Sequence, residues 1–234
     1  MPHNTLLSPL LHALATPMDH LARVWQVDLQ AAEPCVPLLL PALPAAEQAR
    51  ANGMKHQGTR HAFIAMRAAL RHLLASHYLN EPAADIRIML TDQGKPVLPD
   101  HGTLYFNVSH SHDYGVIGIS SQMDIGVDIE KCNAKRSLQG IVDQFFSTPE
   151  QACFQQYPTA ETFYRIWTGK EAVLKAWGTG LSQHMDKIAT LPTDDREYVL
   201  QSALPQAAHT LLTPLPAPPG YAGAMALWQT DYQQ

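Results

Sequence analysis

Between Tyr114 and Lys131 the chain reads YGVIGIS, SQM, DIGVDIEK: two runs with apolar residues at alternate positions, parted by a short polar link. Such alternation marks a strand with one buried face. Two runs so joined predict a β-hairpin, here without the Asn-Gly turn that favours one. Side chains two apart share a face, so Ile125, Val127 and Ile129 lie together, and Asp128 and Glu130 stand side by side opposite them. Each carboxylate makes its neighbour costlier to ionise. Two settings relieve that cost. One is water along a solvated sheet edge. The other is a hard cation, since Mg²⁺ takes one or two protein carboxylates with phosphate oxygens and water. D-x-E alone does not choose between them.

Helical patterns flank these strands. PAAEQARANG predicts a short helix ended by Gly53. In TRHAFIAMRAALRHLLASHYL, Phe63, Met66, Leu70, Leu73 and Leu74 recur at helical spacing. Arg60, Arg67 and Arg71 form a basic stripe beside them, which this helix alone presents as a solvated face. Further on, SLQGIVDQFF reads as helical. STPEQACFQQY offers Ser147 or Thr148 as a cap, Pro149 for the first turn and Glu150 as a favourable charge. AETFYRIWTGKEAVLKAW is a strong helix stopped by Gly178 and Gly180. ADIRIML and TLYFNVSHS read as strands around the turn-rich loop TDQGKPVLPDHG, and YAGAMALW as a last strand after the connector TPLPAPPG. Helices and antiparallel strands come in blocks, which predicts the α+β class.

Composition narrows the field. The 234 residues suffice for one large or two small domains, and the formal charge of −5 argues against a general nucleic-acid binder. Cys35, Cys132 and Cys153 are odd in number and lack CxxC spacing, so they read as reduced thiols of a cytoplasmic protein, with neither a disulfide framework nor a zinc site. LLSPLLHALA lacks the basic leader of a signal peptide and contains Pro9 and His12. No apolar run reaches the ~20 residues that cross a bilayer. The prolines of CVPLLLPALP point to an extended or looping segment.

Two further constellations carry possible chemistry. NVSHSHDYG crowds Asn107, Ser109, His110, Ser111 and His112 at a strand end. It admits a small exposed turn, a metal site on the two histidines, or an anion site of hydroxyls, backbone N–H groups and imidazole. In WTGKEAVLKAW, Trp167, Glu171 and Lys175 are four apart on one helix face, where an exposed Glu–Lys pair is worth ~0.3–0.5 kcal/mol. Lys170 aligns instead with Ile166, Val173 and Trp177 on the buried side, an unusual place for a lysine.

The order QGKPVLP, FNVSHS, GVDIEK and WTGKEAVLKAWGTGL, over residues 44–181, resembles the Sfp-type 4'-phosphopantetheinyl transferases. The resemblance implies two similar α+β subdomains related by a pseudo-twofold axis, each a small, mainly antiparallel sheet packed with helices. Residues 1–122 would carry the long helix, the GKP loop and the SHS turn, and 123–234 the D-x-E strand and the W-x-x-K-E-A-x-x-K helix. It further implies transfer of the 4'-phosphopantetheine arm of coenzyme A to a serine of an acyl or peptidyl carrier protein, with Mg²⁺ as cofactor and adenosine 3',5'-bisphosphate released. Asp128, Glu130 and Glu171 would hold the metal, with Glu171 and Lys175 catalytic. Arg60, Lys95, Ser109, His110, Lys170 and Lys175 would bind coenzyme A. A soluble monomer, with no nucleic-acid or membrane partner, completes the expectation. Two departures stand out. Ala62 precedes Phe63 where the family often has arginine, which leaves the 3'-phosphate contact to Arg60. Gly169 interrupts the helix motif at a cost of ~1 kcal/mol. The competing readings are a non-catalytic coenzyme A- or carrier-binding module with the same fold, and a phosphoesterase using His110 and His112.

Overall fold

The computed structural model describes residues 6–134, 137–180, 184–195 and 197–230. Strands β1 (Leu11–Leu14) and β2 (Ala22–Asp28) lead through short helical turns over residues 29–42 to helices α1 (Ala45–Asn52) and α2 (Gln57–His77). A small hairpin, β3 (Met89–Leu90) and β4 (Pro96–Val97), precedes β5 (Tyr105–Ser111), β6 (Tyr114–Ser120) and β7 (Asp124–Lys131). Helices α3 (Gln139–Phe145), α4 (Thr148–Gln156) and α5 (Ala160–Trp177) follow, then a hairpin of β8 (Ile188–Pro192) and β9 (Tyr198–Ser202), and finally β10 (Thr210–Pro214) and β11 (Tyr221–Trp228). The class is α+β, with two sheet-plus-helix subdomains. One sheet has the order β1-β2-β6-β5 and the other β10-β11-β7, all neighbours antiparallel. YAGAMALW is thus the central strand of the second sheet. β2 had no place in the sequence reading.

The expected hairpin of β6 and β7 does not form. β6 pairs with β5 and β2, and β7 pairs with β11 alone. The reason lies in β6, which is buried on both faces. Its Ile117 and Ile119 pack with Ile64, Leu70 and Leu74 of α2, whereas Val116 belongs to a second core with Ile125, Val127 and Ile129. The apolar face of β7 therefore covers β6 rather than extending its sheet. The true hairpin is β5–β6, turned by His112 in the left-handed region at φ 53°.

Other local expectations need correction. CVPLLLPALP is neither extended nor looping: helical turns span 33–42 with a proline as the second residue of each, within the first turn where the missing N–H costs little. ADIRIML yields only the two-residue β3. The LLSPLLHALA segment is structural, with Leu7 and Leu10 buried in the core. Arg67 and Arg71 do not form a solvated face. Arg71 is buried and donates to both carboxylate oxygens of Glu47 on α1, each at 2.9 Å, and to the carbonyls of Ala83 and Ile86 at 2.8 Å. Arg67 joins Glu47 through Nε at 2.8 Å. Burial alone would raise the Glu47 pKa, but the two guanidinium groups outweigh it and hold it below the usual carboxylate range.

Helix α4 forms where its cap foretells, and α5 ends at the expected glycine. Ser147 and Glu150 make a reciprocal capping box on α4, Thr159 caps α5 through the Thr162 amide, and Gly178 ends it at φ 68°. The same α5 explains Gly169. A Cβ there would lie 3.0 Å from the Tyr198 ring and 3.1 Å from Thr190, so glycine lets the helix press against the β8–β9 hairpin.

Candidate active site

Helix α5 lies across β7 and β11. A Cβ at Gly126 would collide with the carbonyl oxygen of Ala172 and the amide nitrogen of Ala176. Glycine therefore brings the helical turn of Glu171 and Lys175 down onto the face of β7 that carries Asp128 and Glu130. There Lys175 Nζ donates to Asp128 Oδ1 at 2.6 Å and to Ser109 Oγ at 3.2 Å, and stands 3.3 Å from Glu171 Oε2. The expected exposed ion pair is instead part of a half-enclosed cluster.

Strand β5 borders β7 across the gap between the two sheets and holds it through every second side chain. Asn107 Oδ1 accepts from the Val127 amide at 3.1 Å. Ser109 Oγ donates to Asp128 Oδ1 and Ser111 Oγ to Glu130 Oε2, both at 2.7 Å. Ser111 Oγ also accepts from the Lys131 amide at 3.2 Å.

The cluster is electrostatically strained toward a cation. Asp128 is 1% exposed, and its Oδ2 is buried without a partner. Burial, then the Asp128 charge, pushes the Glu171 pKa up to about 7, with Glu130 adding to the rise and Lys175 opposing it. Burial also raises the Glu130 pKa, and Asp128 adds to it while Ser111 opposes. For Lys175 burial alone would lower the pKa, but Asp128 and Glu171 outweigh it and hold it above the usual lysine value. Among the described residues no three His, Cys, Asp or Glu side chains are gathered closely enough to cage a metal ion. The Lys175 ammonium stands against Asp128 and Glu171 instead. The donor set nevertheless suits a hard dication: three carboxylates, two with raised pKa values, and one buried oxygen lacking any donor.

The remaining candidates are distributed around this centre. His110 follows Ser109 on β5, and partial burial, then the Lys175 charge, lowers its pKa. His112 occupies the β5–β6 turn. Lys95, at the β3–β4 turn, is ion-paired with Asp124 and donates to the Ala176 carbonyl at 2.6 Å. Burial lowers its pKa against the opposing pull of Asp124. Lys95 also lines a cavity of about 410 Å³ with Gln93, Tyr105, Trp177 and Gly178. Arg60, in the first turns of α2, donates to Asn52 Oδ1 at 2.8 Å.

Lys170 requires a correction. Its side chain is 0% exposed, and its Nζ donates to Glu150 Oε2 at 2.5 Å and to the Ile188 carbonyl at 2.7 Å. A lysine so enclosed cannot reach coenzyme A. It joins α5 to α4 and β8, and the capping glutamate is its counter-ion. Sequence reasoning also passed over Gly126, and it placed Ser111 in a possible turn or anion site rather than against Glu130. Glycine in an otherwise apolar strand was the available signal for a close backbone approach, and the S-x-S spacing of β5 matches the D-x-E spacing of β7.

Comparison with known proteins follows the same lines. The profile of the 4'-phosphopantetheinyl transferase superfamily matches residues 124–224, and that of a 4'-phosphopantetheinyl transferase N-terminal region matches 31–122. The chain is 30% identical over 200 residues to the 4'-phosphopantetheinyl transferase HetI of Nostoc sp. PCC 7120, covering 82% of this chain and 79% of that protein. It is 30% identical over 202 residues to the 4'-phosphopantetheinyl transferase ffp of Bacillus subtilis, covering 84% and 87%. With the 4'-phosphopantetheinyl transferase Sfp of Bacillus subtilis strain 168 the identity is 27% over 183 residues, covering 76% and 79%. The carboxylate–lysine cluster at the β7–α5 contact thus lies in a chain that belongs to the 4'-phosphopantetheinyl transferase superfamily and is an enzyme of that kind.

Proposed function

We propose that the chain transfers the 4'-phosphopantetheine group of coenzyme A to a serine hydroxyl of an apo acyl or peptidyl carrier protein, with Mg²⁺ bound by Asp128, Glu130 and Glu171. The observation that carries this reading is the buried, partnerless Oδ2 of Asp128, whose other oxygen meets the Lys175 ammonium that Glu171 also faces, with Glu130 close enough to feel both charges. The reaction forms a bond from the serine oxygen to the pantetheine-bearing phosphorus and breaks that phosphorus's bridging P–O bond, releasing adenosine 3',5'-bisphosphate. Mg²⁺, when bound, supplies charge stabilisation on the pyrophosphate oxygens. Glu171 is the side chain proposed to accept the serine proton. Lys175 offsets negative charge on the leaving bisphosphate in a setting partly closed to water. Lys95, Ser109, His110 and Arg60 would contact the nucleotide end, with Lys95 facing the 410 Å³ cavity.

The proposal divides the chain between Gln122 and Met123, with the coenzyme contacts ahead of the break and the metal and catalytic groups after it. It places the enzyme in the cytoplasm as a monomer, a setting that suits its three free thiols. Among the described residues no helix is long and apolar enough to cross a membrane.

The test is incubation with coenzyme A, Mg²⁺ and a panel of apo carrier proteins, read by intact-protein mass spectrometry. One phosphopantetheine mass on the carrier serine is expected. Failure on every carrier, with calorimetry showing tight coenzyme binding, would leave only a binding module. Asp128→Ala should remain folded and lose transfer and Mg²⁺ dependence together. Mg²⁺-stimulated transfer surviving in that variant would remove Asp128 from the metal site.

A further inference from the structure

We infer that Ser111 is a positioning residue for Glu130, fixing which carboxylate oxygen faces the metal and the pyrophosphate. The inference rests on the metal role proposed above. Ser109 and Ser111 lie two apart on one face of β5, as Asp128 and Glu130 do on β7, so each serine meets one carboxylate at 2.7 Å. The two contacts differ in consequence. Asp128 is also held by Lys175, and its rotamer is confined by almost complete burial. Glu130 is only half-buried and has one more rotatable bond, and Ser111 is the hydrogen-bond donor to its carboxylate.

The Ser111 side chain is itself well anchored. It is buried, its oxygen accepts from the Lys131 amide at 3.2 Å and lies 3.3 Å from His112 Nδ1, and its shortest contact, at 2.7 Å, is the hydrogen bond it donates to Glu130 Oε2. That bond takes one of the two acceptor positions of Oε2 and leaves Oε1 as the less encumbered oxygen for a cation. Hydrogen bonds to ligating carboxylates commonly set metal affinity by 10–100-fold, because an unheld ligand must be ordered on binding. Ser111 touches neither coenzyme nor metal in this scheme. It acts through Glu130.

The experiment compares Ser111→Thr with Ser111→Val, two variants of nearly equal shape that differ in the hydroxyl, alongside Ser111→Ala. Mn²⁺ is titrated into each protein in the presence of coenzyme A and followed by the loss of the free-ion electron paramagnetic resonance signal. Transfer kinetics give the coenzyme KM. The expected result is a Kd for Mn²⁺ raised about tenfold or more in the Val and Ala variants, a Kd in the Thr variant within a few fold of wild type, and a coenzyme KM little changed throughout. Equal Mn²⁺ affinity in the Thr and Val variants overturns the role of Ser111, as does a rise in coenzyme KM that matches the loss of metal affinity. Wild-type protein that transfers phosphopantetheine while the Val variant keeps full Mn²⁺ affinity sinks this inference alone. Wild-type protein that neither binds Mn²⁺ nor modifies a carrier sinks the functional reading with it.

Discussion

Glu171 shows how one residue can be badly placed for stability and well placed for chemistry. It is 7% exposed, and burial with the neighbouring Asp128 charge lifts its pKa from the model-peptide range to about 7. A carboxyl whose folded pKa exceeds its unfolded value holds its proton more tightly in the native state. Its contribution to stability is therefore fully present below the unfolded pKa and is lost as pH rises through about 7. Glu171→Gln keeps the shape and removes the ionisation. With metal chelated, this variant should melt above wild type at pH 8, by an amount on the order of 1–3 kcal/mol, and the gap should close at acid pH. The same variant should have no measurable transferase activity. Thermal melts at several pH values beside a carrier-modification assay check both halves, and a variant melting below wild type at pH 8 would show that the Lys175 contact outweighs burial.

Two contacts made by α5 turn its sequence into site geometry. At Gly126 the backbone of the helix rests directly on the strand. Gly126→Ala must lift the turn bearing Glu171 and Lys175 away from Asp128. Displacements of this size cost about 10²-fold in rate, and overpacking costs about 1–3 kcal/mol. Steady-state kinetics and a denaturant melt would measure the two, and unimpaired transfer would show that the close approach is not needed for catalysis. The second contact is the Lys170–Glu150 pair, sealed from solvent behind the site. Lys170→Met leaves Glu150 buried without its cation, which typically costs ~3–5 kcal/mol. If Lys170 is structural, the coenzyme KM of the folded variant should stay near wild type. A large rise in KM would return Lys170 to the binding residues.

Those elements also show which parts of the molecule can be read in one dimension. The start of α4 and the end of α5 were legible because their signals are local: Ser147, Glu150 and Gly178 lie within a few residues of what they satisfy. The D-x-E face was legible because alternation fixes it. Arg71 was misread because Glu47 lies on another helix, 24 residues earlier. The β6–β7 hairpin was misread because β6 has two apolar faces, and only the folded molecule shows that β7 covers one of them. That second core has a consequence for the whole protein. Val24 and Val116 come from the four-stranded sheet, while Ile125, Val127, Met225 and Leu227 come from the other, and all are at most 1% exposed. Alongside it, Asn107, Ser109 and Ser111 tie β5 to β7. Neither sheet can lose this layer without exposing the other's apolar face, so the proposed halves on either side of residues 122 and 123 should unfold as one unit. Ile125→Ala tests this, since deleting such a buried side chain costs about 2–5 kcal/mol. Amide hydrogen exchange should then show protection falling by the same amount in β2 and in β11, although Ile125 belongs to neither strand. A loss confined to β11, with β2 as protected as before, would mean that the two sheets fold independently and that the active site is held together only by the polar contacts at its rim.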